Sequence, residues 1–411
     1  MTVRSDAAPP PSWWRGPAAL TRVVGDLVAG EFARLRPGSA PQLPPHPWTP
    51  ELAIGEDGLG ADSLDLLGLA SALAELLEMR RSGIEDYLLM HRRFGDWQQI
   101  AAAALERFDS VVTFRTSGST GAGTSCSHDL AALEAEAAFL ATLLGGRRRL
   151  LTAVPAHHIY GFIFTVLLPR HLGIEVPVVD LRGRSPAALG AVLQPGDLVV
   201  AHPAWWSVVL QVAPGLPAGV AGTSSTAPCP PELAIGLQAL GLERLVEVFG
   251  SSETSGLGWR DDPDDGFAPF PWWRFEDGIA ERAGAAGPCR HDLPDRLAWH
   301  DGRFLPQGRR DHVVQVGGIN VSPARVRERL LAHPDIADCA VRLMRPEEGQ
   351  RLKAFIVPAT GAAPEVELRR SLTAWIQGNL PVAERPRALS FGPVLPTGAT
   401  GKAADWPVHA A

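Results

Sequence analysis

Long apolar runs are missing from this chain of 411 residues. A stretch such as Ile163–Pro169 falls far short of the roughly 20 apolar residues that a membrane helix needs, so no membrane span is expected. The amino-terminal MTVRSDAAPPPSWWRG carries no apolar core of the kind that directs secretion. Cysteine is scarce as well: Cys126, Cys229, Cys289 and Cys339 stand alone, without C-x-x-C spacing. That excludes a recognisable zinc or dithiol motif and suits a reducing compartment. Positive charge is short, with a formal net charge of -7. Nucleic acid is therefore not an expected partner, because phosphate binding needs clustered cations. The basic run Arg147–Arg149 reads as the cap of a helix carboxyl end. No G-x-G-x-x-G opens a βαβ unit with an acidic residue downstream, which disfavours a nicotinamide-dependent oxidoreductase. Internal repeats and low-complexity tails are also lacking. A cytoplasmic enzyme of two or three domains is the expectation.

What is present falls into three textures. Leu20, Val23, Val24, Leu27, Val28, Phe32 and Leu35 recur at helical spacing before a proline-rich stretch, Pro37–Pro50. Beyond it Asp62 can cap a helix carrying Leu66, Leu67, Ala70, Leu73 and Leu77, and Gln98–Leu105 predicts another. From Val111 strands, glycine-rich turns and helices alternate. Strands are predicted at Val111–Phe114, Leu150–Val154, Val176–Val179, Asp197–Ala201 and Arg244–Phe249, and a helix at Asp129–Leu144. Such alternation implies an α/β sheet with ligands at the carboxyl ends of its strands. Arg260–Arg290, rich in Asp, Pro, Trp and Gly, reads as an irregular crossing. A compact last unit begins near Asp311, with strands at Val313–Val316, Cys339–Leu343 and Leu352–Ile356 and helices at Pro323–His333 and Glu365–Asn379. The domain expectation is 1–108, 109–310 and 311–411.

The strongest local signal is Thr116-Ser117-Gly118-Ser119-Thr120-Gly121. Its glycines allow tight turning, and its hydroxyls and amides form a cradle of donors for phosphate oxygens. A strand before it and a helix after it give the context such a loop needs. Three further segments follow in order: Phe249-Gly250-Ser251-Ser252-Glu253, Gly308-Arg309-Arg310-Asp311 ahead of Gly317-Gly318, and Pro396-Thr397-Gly398-Ala399-Thr400-Gly401-Lys402.

Taken together, Val111–Lys402 resembles the adenylate-forming superfamily of acyl- and aryl-CoA ligases, peptide-synthetase adenylation domains and luciferases. The resemblance implies a large adenylate-forming domain of mixed α/β sheets and a small mobile α+β carboxyl-terminal domain. It implies ATP and Mg²⁺ as cofactors and a thiol of CoA or phosphopantetheine as acceptor. It assigns Thr116–Gly121 to the phosphates of ATP, Glu253 with Thr120 to Mg²⁺, and Phe249, Gly250 and Ser252 to the nucleotide side. Asp295 and Arg309 become the ribose contacts, Asp311 the hinge, and Lys402 the lysine that meets the carboxylate and α-phosphate. Pro155-Ala156-His157-His158-Ile159-Tyr160-Gly161 resembles the family's acyl-pocket segment, giving His158, Tyr160 and Gly161; a hydrogen-bonded structural histidine is the other reading of His158. Ser225 and Thr226 match the small-residue turn beside the acyl group. Trp205 and Trp206 suit either a ring wall or core packing. Attack of a carboxylate on phosphorus brings anions together, so cations, metal and oriented donors matter more than a general base.

Departures accompany the match. Gly123 and Thr124 stand where relatives carry Pro and Lys, Gln315 replaces a Lys and Arg325 a Glu, whereas His128 matches the histidine that ends the first motif. The front end is short and contains Gly58-Leu59-Gly60-Ala61-Asp62-Ser63-Leu64-Asp65, which resembles the phosphopantetheine site of acyl carrier proteins with Ser63 as the modified serine. The preferred reading is a helix capped by Asp62 in a subdomain that replaces ligase scaffold. The overall pattern is similar to aryl-acid ligases of bacterial aryl-polyene pigment pathways. It implies a small aromatic, hydroxybenzoate-like acid passed to CoA or a carrier protein. The alternative is a catalytically weak, ligase-like module that binds acyl carriers.

Overall fold

The structure, a computed structural model, describes residues 12–36, 43–115, 124–284, 287–309, 313–396 and 405–408. Its centre is a seven-stranded sheet in the spatial order Val179–Asp180, Arg149–Thr152, Asp197–Ala201, Ala221–Ser224, Arg244–Ser251, Ser255–Arg260 and Ala268–Pro269. The first five run parallel; Ser255–Arg260 runs antiparallel to them, and Ala268–Pro269 pairs antiparallel with Ser255–Arg260. Asp197–Ala201 is buried along its whole length. Its side chains alternate between two cores: Leu198 and Val200 face one, Val199 and Ala201 the other. Successive residues of a strand point to opposite faces, so a doubly covered strand reads as a continuous apolar run.

The amino-terminal helices belong to the first of those cores. Helix Pro17–Leu35 and helix Ser63–Leu76 bury Val24, Val28, Phe32, Leu69 and Leu73 against Val112, Phe114 and Leu150. Asp62 caps the second helix, its Oδ1 accepting from the amides of Leu64 and Asp65 at 2.9 Å, while Asp65 returns a bond to the Asp62 amide. This reciprocal box satisfies orphan donors at the helix start. Ser63 is the exposed first residue of that helix.

A third core, from Val316 to Ala383, holds the carboxyl-terminal unit: strands Ile336–Leu343, Leu352–Pro358 and Ala388–Phe391 with helices Pro323–Leu331 and Glu365–Asn379. The large α/β part and the small α+β part agree with the expected fold class.

Three local expectations are corrected. The supposed irregular crossing contains an antiparallel meander, Arg274–Glu276, Ile279–Gly284 and Gly287–Asp292. Its strands are polar and largely exposed, so no period-2 apolar signal marks them. Val111–Arg115 pairs with Ser125–Asp129 as a separate hairpin outside the large sheet. Arg147–Arg149 caps no helix. Arg147 pairs with Glu243 at 2.7 Å and Arg149 with the buried Asp197 at 2.6 Å, at the amino edge of the parallel strands.

Candidate active site

Four of the five parallel strands lead, at their carboxyl ends, into segments that carry candidate residues, where an open α/β sheet leaves a crevice for ligands. After Arg149–Thr152 the chain turns through Pro155–His158 into the short helix Ile159–Phe162. Gly161 is required by that turn, because a Cβ there would run into the Pro155 carbonyl oxygen. Tyr160 is buried; its hydroxyl donates to the Ala201 carbonyl at 2.9 Å and lies 2.7 Å from Thr223 Oγ1. Burial raises the pKa of this phenol, which keeps it neutral. His158 is exposed, its ring tilted against His157 at 4.2 Å. Trp206 is core: it is 1% exposed and its indole donates to the Thr223 carbonyl.

The next two strand ends meet each other. Ser225 Oγ donates to the Val248 carbonyl at 2.8 Å. Thr226 adopts a left-handed backbone, φ 75°. Its Oγ1 lies 2.7 Å from where a Cβ on Gly318 would stand, so the Gly317-Gly318 turn of the small unit closes on this point. Phe249 packs into an aromatic cluster with Phe267 and Phe304, both at 5.6 Å. Gly250 permits the bulge that follows, since a Cβ would run into the Ser255 carbonyl oxygen.

Glu253 is exposed on the turn between strands Arg244–Ser251 and Ser255–Arg260. His128 Nε2 donates to the Ser252 carbonyl at 2.7 Å, tying the hairpin Val111–Arg115/Ser125–Asp129 to the Glu253 turn. Burial lowers the His128 pKa, and the bond to the Ser252 carbonyl opposes that shift. Asp295 and Arg309, far from obvious neighbours in sequence, are register partners across one hairpin. Thr116, Ser117, Gly118, Ser119, Thr120, Gly121, Asp311 and Lys402 lie outside the described residues.

Sequence reasoning missed Thr223, and it missed Glu136. The latter sits on helix Leu130–Leu143, 1% exposed, and both its oxygens accept from the Gly256 amide at 3.2 Å. It thereby holds the strand that leaves the Glu253 turn. Burial pushes its pKa up to about 7. In the unfolded chain a glutamate titrates near 4.3. The folded state thus binds the proton more tightly, and this group's contribution to stability is greatest below the unfolded value and is lost as pH rises through about 7. The loss amounts to about 4 kcal/mol. Glu136→Gln should flatten that part of the profile, as measured by denaturant unfolding at several values between pH 4 and pH 8. An identical pH slope in the variant would refute the assignment.

Among the described residues no group of three His, Cys, Asp or Glu stands together to hold a metal ion by itself, and no helix is long and apolar enough to cross a membrane. Glu253 nevertheless has the chemistry of a hard-cation ligand: an exposed carboxylate whose charge is felt by His128 and His291.

With this geometry in view, the chain matches the model of an AMP-binding enzyme over residues 69–271 and that of the AMP-binding enzyme carboxyl-terminal domain over residues 326–402. The chain belongs to the AMP-binding enzyme family of acid–CoA ligases. It is 39% identical over 388 residues to a 4-coumarate–CoA ligase of Halorhodospira halophila, covering 93% of this chain and 97% of that one. A 4-coumarate–CoA ligase of Cereibacter sphaeroides is 40% identical over 368 residues, 88% of this chain and 87% of the relative. Among solved structures, the amide bond synthetase of Marinactinospora thermotolerans superposes with a TM-score of 0.59 at 17% identity, covering 95% of this chain and 97% of that one. The o-succinylbenzoate–CoA synthetase of Bacillus subtilis gives 0.58 at 17% identity, covering 94% and 91%. At those identities the two structures speak for the fold alone.

Proposed function

We propose that this protein activates a small aromatic acid of the 4-hydroxycinnamate type as its acyl-adenylate and passes the acyl group to the thiol of CoA. The observation that carries this reading is likeness over 88 to 94% of the chain, at 38 to 40% identity, to three proteins named 4-coumarate–CoA ligase. In the first step the carboxylate attacks the α-phosphorus of ATP, forming an acyl–phosphate bond and releasing pyrophosphate. In the second a thiolate attacks the acyl carbon, forming the thioester and releasing AMP.

Tyr160, Gly161, Ser225 and Thr226 line the acid side in this reading, and His158 stands at its mouth. Thr116, Ser117, Gly118, Ser119, Thr120 and Gly121 hold phosphates, and Phe249, Gly250 and Ser252 flank the nucleotide. Asp295 and Arg309 take the ribose; their placement opposite each other in one hairpin supports a shared ligand. Mg²⁺, held by Glu253 with Thr120, would neutralise phosphate charge. Residues 109–310 form the adenylate-forming part, with 311–411 as a lid pivoting at Asp311.

ATP–pyrophosphate exchange across 4-hydroxycinnamate, cinnamate, 4-hydroxybenzoate, benzoate and straight-chain fatty acids tests the substrate class. The hydroxycinnamate should give the highest kcat/KM, followed by thioester formation on adding CoA. Preference for a fatty acid would overturn the aromatic reading, and a preferred 4-hydroxybenzoate would shorten the acid. Absence of exchange with every one of these acids would favour the carrier-binding module instead. Glu253→Gln keeps shape but removes one charge from the metal side, and exchange should fall roughly a hundredfold. Wild-type activity of that variant at limiting Mg²⁺ would remove Glu253 from the metal site.

A further inference from the structure

The face that helix Pro17–Leu35 turns toward the acid segment is costly for a helix. Glycine in a helix interior is destabilising relative to alanine, and a buried carboxylate must recover its lost hydration. This helix nevertheless carries Gly25, Asp26 and Gly30 in its interior. Asp26 is 1% exposed. Its Oδ2 accepts from the Ala156 amide at 2.7 Å, and its Oδ1 from Arg182 Nη2 at 2.5 Å. One helical turn on, Gly30 leaves room for the His157 ring: a Cβ would stand 2.7 Å from His157 Nε2. Gly25 does the same for His46, at 2.8 Å, and His46 lies 3.9 Å from Asp26. His157 Nδ1 is enclosed with no hydrogen-bond partner among the described residues, so packing on the helix rather than a bond sets that ring.

We infer that Asp26, seconded by Gly30, is the positioning residue for the Pro155–Gly161 segment, and so for acid affinity as distinct from ATP affinity. The inference rests on the reading of that segment as the acid side of the site. The segment is short and has only a four-residue helix of its own, Ile159–Phe162. Its backbone must be held from outside, and the Asp26 carboxylate grips the amide directly ahead of the two histidines. Removing the acceptor leaves a buried amide unsatisfied and frees the turn that carries Tyr160.

The test combines steady-state kinetics with amide hydrogen exchange on the full chain. Asp26→Ala should raise KM for the acid by roughly tenfold to a hundredfold. KM for ATP should stay within about twofold of wild type, because nothing on the nucleotide side has moved. Asp26→Asn, which keeps an acceptor for the Ala156 amide, should recover most of the acid affinity. Gly30→Ala displaces His157 without touching a charge and should reproduce the acid effect if Asp26→Ala fails to fold. Exchange of the peptide spanning 153–161 should accelerate in Asp26→Ala and Gly30→Ala. Unchanged protection of that peptide, or equal changes in both KM values, would overturn the proposal. If the wild type activates none of the acids, the acid-side reading fails, and peptide protection alone still decides whether Asp26 holds the segment.

Discussion

Lys402→Ala should cut acid-dependent ATP–pyrophosphate exchange by at least a hundredfold, as expected for loss of a preorganised charge, while transfer from pre-formed acyl-adenylate to CoA stays near wild type. A carboxylate and a triphosphate repel as they approach, and a mobile ammonium is suited to bridging them. The chain has one other lysine, Lys353, and it cannot substitute. Lys353 is fully buried, its Nζ bonded to Glu348 at 2.8 Å, to the Trp406 carbonyl at 2.7 Å and paired with Asp405 at 3.0 Å. Two hydrogen bonds and one ion pair hold that ammonium inside the small unit. Single-turnover transfer measured beside exchange separates the half-reactions. Equal slowing of both steps, or of neither, would end the proposal that the small unit is a lid that pivots at Asp311, bringing Lys402 in for adenylation and away for transfer.

On the proposal that the Gly317-Gly318 turn borders the passage by which the thiol enters, Gly318→Trp should give the opposite split: adenylate formation within a fewfold of wild type and thioester formation slowed roughly ten- to hundredfold. Two independent obstacles meet at this glycine. Its φ of 83° is a conformation that bulky residues adopt only under strain, and a Cβ would press on Thr226 Oγ1 at 2.7 Å. Gly317 is the control. Its φ is also positive, 60°, but nothing lies within 4 Å of its Cβ position, so Gly317→Ala carries strain without obstruction. If Gly318→Trp slows adenylation as much as transfer, the turn is a general structural contact and not a passage for the thiol. If the two glycine variants behave alike, the approach to Thr226 has no part in the effect.

The elements that could be read directly were those whose signal is local. Asp197–Ala201 and Glu365–Asn379 begin and end where expected, one because an uninterrupted apolar run has no other stable place than a covered strand, the other because its apolar positions repeat at helical spacing. The loops after the strands were legible for the same reason: glycine and hydroxyl residues interrupt apolar runs abruptly. The polar meander Arg274–Asp292 was not, because a strand without an apolar face is specified by its partners.

Within the site, the sequence alone determined which residue types stand at each strand end, since turn chemistry and motif order are properties of neighbours along the chain. Tertiary structure decided which of them act together. The bond from Tyr160 to Thr223, the bond from His128 to Ser252 and the approach of Gly318 to Thr226 join residues far apart in sequence. Asp26 shows the division most sharply. Nothing in the sequence marks it out among the polar residues of its helix, and it becomes a buried anchor only because the Ala156 amide, 130 residues away, comes to rest against it. Hydrogen bonds and close contacts are satisfied in space, so the partner of a buried polar group is fixed by packing and leaves no mark on the residues beside it.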